Sequence, residues 1–314
     1  MTRRAALIIN PKSGSSADTD TLIRLRDFLR KEGYGLSVEL TKSLDHAGDL
    51  ARQARHNHCN LVIVAGGDGT VRTVVESMAG SEIPLLIVPG GTENLVACEL
   101  GIDGTFKNLQ TILRQGKVRN LDLGRVNQNY FIAVVGVGFD GEVIRRLNQF
   151  RAGHITHMDY LWPITRTFWE YQFPPLRVEA DGVTVCDEPA LVFVGNISRY
   201  AVELKIFPDA DCGDGLLDLC IYKCSSRPRL LLHSLMTMLR QTSLSPGVIR
   251  RKCRHIRISG APSLPVQYDG DPGPALPLEI EVIPTAARVL TPPAPAGQAY
   301  APPVRFYHFR RWLK

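Results

Sequence analysis

The chain has 314 residues and a mass of 34.8 kDa, with 44% hydrophobic and 22% charged residues and a mean hydropathy of −0.04. This composition excludes disordered, collagen-like and polytopic membrane proteins, and the length suits two domains of roughly 150 residues each. The chain carries 37 Lys and Arg against 31 Asp and Glu, a formal net charge of +6 that favours anionic partners such as nucleotides, nucleic acids or acidic membrane surfaces.

The first 125 residues alternate short apolar runs with helical patterns. The patterns predict strands at 4–10, 36–40, 61–65 and 84–88, and helices at 19–31, 45–57 and 71–78. Strict alternation of strand and helix predicts a parallel sheet with helices on both faces. Ligands of such sheets bind at the carboxyl ends of the strands.

After Asp122 the pattern changes to short strands separated by Gly, Pro and Asp turns, which predicts an antiparallel β-sandwich. The predicted strands are 130–135, 176–179, 190–194, 217–222, 255–259 and 278–283, with helices inserted at 160–171 and 228–239. We expect the aromatic first helix to pack between domains, with an acyl-chain pocket as the alternative, and the apolar second helix to face the core. The predicted domains are therefore 1–125 (α/β), 126–290 (β-sandwich) and 291–314 (a Pro/Ala-rich linker and a basic aromatic tail).

Cysteine usage and the apolar runs bear on the compartment. The 7 cysteines lack paired spacing, which indicates reduced thiols in a cytosol. The apolar run 5–9 is shorter than a signal-peptide core, and no run reaches the roughly 20 apolar residues that span a bilayer. We therefore expect a cytoplasmic protein whose membrane contact is peripheral.

A glycine-rich turn, Gly66-Gly67-Asp68-Gly69-Thr70, follows an apolar strand and precedes a helix. Glycines let backbone N–H groups approach phosphate oxygens, and the helix N-terminus adds positive potential. The alternative is a tight strand-to-helix turn without a ligand, but such a turn seldom needs three glycines around a carboxylate.

Polar loops follow two other strands of the same domain, Asn10-Pro11-Lys12-Ser13-Gly14 and Pro89-Gly90-Gly91-Thr92-Glu93-Asn94. Together the three loops predict an anion site at the strand ends.

Six motifs in chain order resemble those of the diacylglycerol kinase catalytic-domain family, which includes bacterial lipid kinases and sphingosine and ceramide kinases. Besides the three loops, they are Gly136-Val137-Gly138-Phe139-Asp140, Pro208-Asp209-Ala210 with Asp214-Gly215-Leu216-Leu217-Asp218, and Val266-Gln267-Tyr268-Asp269-Gly270-Asp271. The resemblance runs from about Ala5 to Ile283. It implies an N-terminal Rossmann-like α/β domain and a C-terminal antiparallel β-sandwich, with a nucleotide cleft between them.

The resemblance further implies a kinase that uses ATP and Mg²⁺ to phosphorylate a lipid hydroxyl. By position, contacts to ATP would come from Asn10, Pro11, Lys12, Ser13, Gly14, Thr41, Gly66, Gly67, Asp68, Gly69, Thr70, Val71, Arg72, Thr92 and Asn94. A structural Mg²⁺ would be held by the backbone carbonyls of Asp211 and Leu216 and the carboxylate of Asp214, with Asp122 linked to the ion through water. Hard oxygen ligands of this kind are those that Mg²⁺ prefers.

The predicted catalytic residues are Asp271 and Asp68. Phosphoryl transfer to an alcohol needs a carboxylate that orients the hydroxyl and accepts its proton, and Asp271 inherits that role by position. The family usually has Asp-Gly-Glu where this chain has Asp269-Gly270-Asp271, so the side chain is one methylene shorter. Asp68 would belong to the phosphate and metal site. A second departure is Leu95, where many members carry Asp.

The basic residues are concentrated toward the C-terminus. Residues 219–268 contain 9 Lys or Arg and no Asp or Glu, and residues 282–314 contain 5 more, again without an acid. Arg250-Arg251-Lys252 and the residues after it lack an aromatic stacking platform, so the pattern favours an anionic membrane surface over nucleic acid. The basic aromatic tail at 304–314 suits interfacial anchoring.

The expected partners are thus ATP, a lipid alcohol and an anionic membrane surface, without nucleic acid, and a homodimer is left open. Two other functions also stay open: a soluble NAD kinase-like enzyme, because that group shares the Gly-Gly-Asp-Gly loop, and a nucleotide-binding regulatory module whose catalysis has decayed. The acceptor itself is open among diacylglycerol, a long-chain base, a ceramide and another lipid alcohol.

Overall fold

The structure is a computed structural model that describes residues 3–13, 19–149, 157–200, 204, 206–242 and 245–293. Gly14 of the first polar loop and the tail at 304–314 lie outside the described residues. In the described part of the chain, no helix combines the length and the apolar character needed to cross a membrane.

The helices and strands follow the predicted alternation in the first part of the chain and the predicted β-rich pattern after it. The strands are β1 (Arg3–Ile9), β2 (Tyr34–Leu40), β3 (Leu61–Gly66), β4 (Leu85–Pro89), β5 (Lys117–Val126), β6 (Asn129–Phe131), β7 (Val134–Val137), β8 (Pro175–Ala180), β9 (Val183–Gly195), β10 (Leu217–Lys223), β11 (Val248–Cys253), β12 (His255–Gly260), β13 (Val266–Tyr268), β14 (Asp271–Pro272) and β15 (Leu278–Thr291). The helices are α1 (Thr19–Lys31), α2 (Leu44–His56), α3 (Asp68–Ser77), α4 (Leu95–Glu99), α5 (Phe106–Gln115), α6 (Phe139–Gln149), α7 (Leu161–Glu170) and α8 (Arg227–Met238).

The N-terminal sheet is parallel, in the order β2-β1-β3-β4. Every residue of β3 is buried, as expected for a central parallel strand covered on both faces. Helices α2 and α3 pack against each other, and each begins just after a strand, so the polar strand-to-helix turns fall at one edge of the sheet. That edge is where the sequence predicted an anion site.

The β-rich part forms a sandwich because strand β9 belongs to both of its sheets. Its first half pairs with β8 and its second half with β10 and β7, all antiparallel. Val, Ile and Leu side chains from both sheets fill the space between them. The predicted fold class, an α/β domain followed by a β-sandwich, is confirmed.

The long strand β15 joins the two parts of the molecule. Residues 280–283 pair with 123–126 of β5, and after a shift in register residues 287–291 pair with 117–121. Val289 also lies beside Leu85 of β4, in parallel. The sequence predicts this strand only as far as Ile283, because Pro284 and Thr285 interrupt the pattern; Thr285 takes a positive φ of 50° at the irregularity. The boundaries at 125 and 290 stay predictions.

Several elements escaped the sequence patterns. Helices α4, α5 and α6 were not predicted. Helix α4 spans only five residues, and α6 begins within the Gly136–Asp140 motif. Strand β11 was missed because half of its residues are exposed and charged. Helix α8, expected to face the core, buries Leu230, His233 and Thr237 but exposes a row of apolar side chains to solvent.

Candidate active site

Two glycine loops lie backbone against backbone at the end of β3. The N–H of Gly90 donates to the carbonyl of Gly66 at 2.9 Å. A Cβ atom on Gly91 would stand 2.6 Å from the Cα of Gly67, closer than side chains tolerate, so this approach requires glycine. Asn94, in the left-handed region at φ 50°, closes the second loop through hydrogen bonds to both the N–H and the carbonyl of Gly91.

The third polar loop is attached to the same edge through Asn10. Its N–H donates to the carbonyl of Ala65 at 2.9 Å, and its side-chain amide donates to the hydroxyl of Thr70 at 2.8 Å. The N–H of Lys12 donates to the Asn10 side-chain oxygen, which holds the loop in a turn. Thr41, at the end of the neighbouring strand β2, donates its N–H to the carbonyl of Ile9. The structure therefore gathers the three predicted loops at one edge.

The predicted contact residues differ in what they present there. Pro11, Lys12 and Thr92 are exposed, Ser13, Gly67 and Gly69 are half-buried, and Val71 is buried in the apolar core. The side chain of Val71 thus serves packing, and only its backbone is left for any contact with a ligand.

Asp68 is the first residue of α3 and lies between the glycine loops. Burial raises the pKa of its carboxyl to about 7, against a weaker lowering effect from the N–H of Val96, which approaches Oδ1 at 3.5 Å. The negative charges of Asp269 and Glu93 add to the rise. A carboxyl with this pKa exchanges its proton near neutral pH, so it can gain charge when a cation or a cationic ligand arrives.

Arg72 connects α3 to the Asp269-Gly270-Asp271 turn, which lies about 200 residues further along the chain. Its Nη2 donates to Oδ2 of Asp271 at 2.7 Å, and its guanidinium lies over the ring of Tyr268, 4.6 Å from the centroid. The side chain is almost wholly buried, and the nearby charges of Asp269 and Asp271 raise its pKa although burial alone would lower it. The predicted base Asp271 therefore stands beside the glycine loops with its carboxylate oriented by a fixed cation.

Asp269 shapes the turn that carries Asp271. Its carboxylate accepts the backbone N–H groups of Ile132, Ala133 and Val134 at 2.8–2.9 Å, while its own backbone sits at φ 47°. Burial raises its pKa, although Arg72 and those three N–H donors favour the charged form. The side chain clamps the turn to the segment between β6 and β7, a positioning role.

A second buried chain of polar groups supports the same turn. Tyr200 and Gln267 both donate to the carboxylate of Asp140, the latter at 2.7 Å, and the side-chain oxygen of Gln267 accepts the N–H of Gly270 at 3.0 Å. Burial raises the pKa of Asp140. Asp140 and Gln267 belong to motifs that the sequence singled out, but the motifs alone assigned them no role. Tyr200 lies in none of them and carried no signal.

The predicted metal residues lie in a separate cluster around the turn before β10. Asp122 is fully buried and accepts the N–H groups of Gly215 and Thr285, each at 2.7 Å. Burial raises its pKa despite these two bonds. Asp211 pairs with Arg119 at 2.5 Å, and the carboxylate of Asp214 pairs with the ammonium of Lys252 at 2.6 Å.

These contacts do not fit a Mg²⁺ ion at this turn. The N–H of Leu216 takes the other oxygen of Asp214, and the carbonyl of Asp211 faces the N–H of Asp214 at 3.3 Å. Among the described residues, no group of three or more His, Cys, Asp and Glu side chains is arranged to hold a metal. Two of the three oxygen groups that the sequence assigned to an ion, the Asp214 carboxylate and the Asp211 carbonyl, are thus directed at protein donors.

Comparisons with known proteins agree with the fold. Residues 4–126 match the diacylglycerol kinase catalytic domain, and residues 133–291 match the YegS C-terminal NAD kinase beta sandwich-like domain. A diacylglycerol kinase of Mycobacterium tuberculosis is 31% identical over 300 residues, covering 92% of this chain and 95% of the relative. One of Staphylococcus aureus is 28% identical over 279 residues, covering 88% and 89%. The crystal structure of a diacylglycerol kinase from Bacillus anthracis superposes with a TM-score of 0.74 at 25% identity, covering 93% of this chain and 98% of that one.

The close approach of the glycine loops gives a first prediction. Gly91→Ala should push the two loops apart, because the new methyl would meet the Gly67 backbone, and we expect a loss of about 2 kcal/mol in the free energy of unfolding. Gly69→Ala is the matched control: its Cβ would meet nothing within 4 Å and it lies in the first turn of α3. Urea unfolding measures both; equal stability of the two variants would contradict the packing.

The raised pKa of Asp68 gives a second prediction. Between its ordinary value of 3.8 and about 7 the native state keeps a proton that the unfolded chain has lost, so the free energy of unfolding falls as pH rises through this window. Asp68→Asn removes the ionisable group and, with it, this pH-dependent loss of stability. The Tm of the variant minus that of the parent should therefore increase by about 5 °C between pH 4 and pH 8.

Thermal scans across pH, without nucleotide, test this prediction. Asp187→Asn, at a carboxylate 64% exposed, is the control and should show no such trend. A Tm difference between Asp68→Asn and the parent that stays constant with pH would refute the shift.

Proposed function

Because this chain belongs to the diacylglycerol kinase catalytic-domain family, we propose that it is a lipid kinase that transfers the γ-phosphoryl group of ATP to the hydroxyl of a lipid alcohol. The observation that carries the proposal is the meeting of the glycine loops with Asp271 through Arg72. A phosphate-binding edge and a candidate base thereby share one site. The relatives' names make diacylglycerol the first acceptor to test.

The nucleotide phosphates would lie on the glycine loops at the N-terminus of α3. Backbone N–H groups there point out of the helix end, and the half-buried glycines allow a phosphate to come close. Lys12, exposed on the neighbouring loop, adds a positive charge within the same edge. Mg²⁺ would arrive with ATP and neutralise the charge that develops on the phosphates, and Asp68 is the carboxyl beside them.

The acceptor hydroxyl would meet Asp271. The carboxylate takes the hydroxyl proton as the acceptor oxygen forms its bond to the γ-phosphorus, and the bond from that phosphorus to the β,γ-bridging oxygen breaks to release ADP. Arg72 holds one oxygen of Asp271, and Asp269 and Gln267 hold the turn, so the base is positioned before substrate arrives.

An exposed apolar surface on α7 and α8 supports a lipid acceptor over a soluble one. Leu231, Leu235 and Met238 lie at i, i+4 and i+7 on the solvent side of α8, with Leu231 61% and Met238 69% exposed. Trp162 and Trp169 are exposed on α7, whose C-terminal carbonyls accept hydrogen bonds from Arg227 at the start of α8. We call these five residues the α7–α8 surface.

The chemistry of the α7–α8 surface fits a bilayer containing anionic lipid. Residues 219–268, which include α8, carry 9 Lys or Arg and no acid, and Trp side chains favour the boundary between headgroups and acyl chains. Tyr171, just after α7, packs edge-to-face on Phe139, the residue before Asp140. A membrane bound at this surface would therefore lie close to the chain of groups that supports Asp271.

The activity itself is the third prediction. Incubation with labelled ATP, Mg²⁺ and micelles containing diacylglycerol should label the lipid, and Asp271→Asn should lower kcat by 10²-fold or more, since general base catalysis contributes about 10²–10⁴-fold. Asp187→Asn, far more exposed, should match the parent. Transfer to no lipid alcohol in a total extract would overturn the lipid kinase, and equal rates for Asp271→Asn would overturn the assignment of the base.

The α7–α8 surface gives the fourth prediction. Leu231→Ser with Met238→Ser should weaken binding to phosphatidylglycerol vesicles by about tenfold for each side chain, because each forfeits apolar burial worth roughly 1.4 kcal/mol. Val183→Ser, at an exposed apolar residue that begins β9, is the matched control. Vesicle flotation measures binding; unchanged flotation of the double variant would contradict the surface.

A further inference from the structure

At the turn before β10, the side chain of a lysine from the neighbouring strand β11 lies where the sequence predicted a metal ion. Lys252 lies on β11 directly opposite Asp218 of β10 in the antiparallel register. Its ammonium nitrogen is 2.6 Å from Oδ2 of Asp214 and 3.6 Å from Oδ2 of Asp218. The register of β10 and β11 thus places the Lys252 ammonium next to the two carboxylates.

Two further carboxylate oxygens of the turn are also engaged by protein groups. Oδ1 of Asp214 accepts the N–H of Leu216 at 3.0 Å, and Oδ1 of Asp211 accepts the N–H of Gly213 and pairs with Arg119. The carboxylates of Asp211 and Asp214 therefore each have a cation and a backbone donor from the protein. A Mg²⁺ ion would need to displace an attached ammonium before it could take Asp214 as a ligand.

An attached cation also has a physical advantage over a free one at this place. Mg²⁺ gives up its water shell reluctantly and prefers six oxygens in near-octahedral geometry, whereas an ammonium needs only a few acceptors. The lysine is present at every divalent cation concentration, because it is part of the chain.

We infer that Lys252 is a built-in cation that holds the turn between Asp211 and Asp218 in the place of a structural Mg²⁺. The sandwich of this protein then folds without a divalent ion at that turn, and Mg²⁺ enters only with the nucleotide. Asp122 stays connected to the turn directly, through the N–H of Gly215, and needs no water-linked ion. This inference is independent of which acceptor the protein phosphorylates.

The test uses the full chain without nucleotide and measures stability and metal binding, not activity. For the parent, we expect the same Tm in EDTA and in MgCl₂ to within about 1 °C, and no heat of binding when Mg²⁺ alone is titrated. A Tm that rises with Mg²⁺ in the parent but not in Asp214→Asn would overturn the inference, because the ion would then bind at this turn.

A pair of lysine variants tests the role of the side chain itself. Lys252→Met leaves Asp214 and Asp218 without their cation; its Tm in EDTA should fall by roughly 2–4 °C and return toward the parent's on addition of MgCl₂. Lys223→Met is the matched control, because Lys223 on β10 pairs with Glu188 at the same 2.6 Å and is about as exposed, 32% against 34%.

The control should lose a similar amount in EDTA and recover nothing with Mg²⁺. If Lys252→Met behaves like Lys223→Met, Lys252 is an ordinary ion pair and the inference fails. Recovery of Lys252→Met alone supports it.

Discussion

The buried guanidinium of Arg72 is the contact on which the candidate site depends. It lies one helical turn after the glycine loop, pairs with Asp271 and stacks on Tyr268, so it joins an element of the α/β domain to a turn of the sandwich. A buried charge without a partner is costly, and the pair is therefore a strong constraint on how the two parts meet. The glycine loops and the candidate base are neighbours because this ion pair is satisfied only when they are.

The backbone makes the same connection a second time. Strand β15 pairs with β5 along both parts of the molecule and reaches the edge of the parallel sheet at Leu85. Asp122 on β5 accepts N–H groups from the turn before β10 and from the irregularity in β15. The site is thus framed by a strand pairing with one shift in register and by buried acceptors, which explains how segments about 200 residues apart keep their arrangement.

Buried carboxyls serve two different purposes in this protein. Asp269 and Asp140 accept several donors each and fix the turn that carries Asp271, whereas Asp68, between the glycine loops, has a pKa near 7 and can change its charge. At the turn before β10, by contrast, Asp214 is neutralised by Lys252 within the chain. The carboxyl that can change its charge, Asp68, therefore lies where a nucleotide and its cation would bind. The carboxylate of Asp214, which has a lysine as its partner, lies at a turn with a structural role. Tyr171, the residue after α7, packs on Phe139, which precedes Asp140 in the chain.

The sequence by itself determined the fold class and the three polar loops, because both depend on local patterns: alternation of strand and helix, and glycines at the ends of apolar strands. It also pointed to Asp271, through its motif. It could not show that Arg72 faces Asp271, that Asp140 and Gln267 support the same turn, or that Lys252 lies opposite Asp218, since each pair is set by strand register and domain packing between distant residues. Likewise, the sequence of α8 is equally apolar whether its side chains face a core or solvent. Only the tertiary structure shows that Leu230 is buried and Leu231 is exposed. Patterns of neighbouring residues predict local structure, whereas the partner of each buried charge is set by contacts between residues that are distant in the sequence.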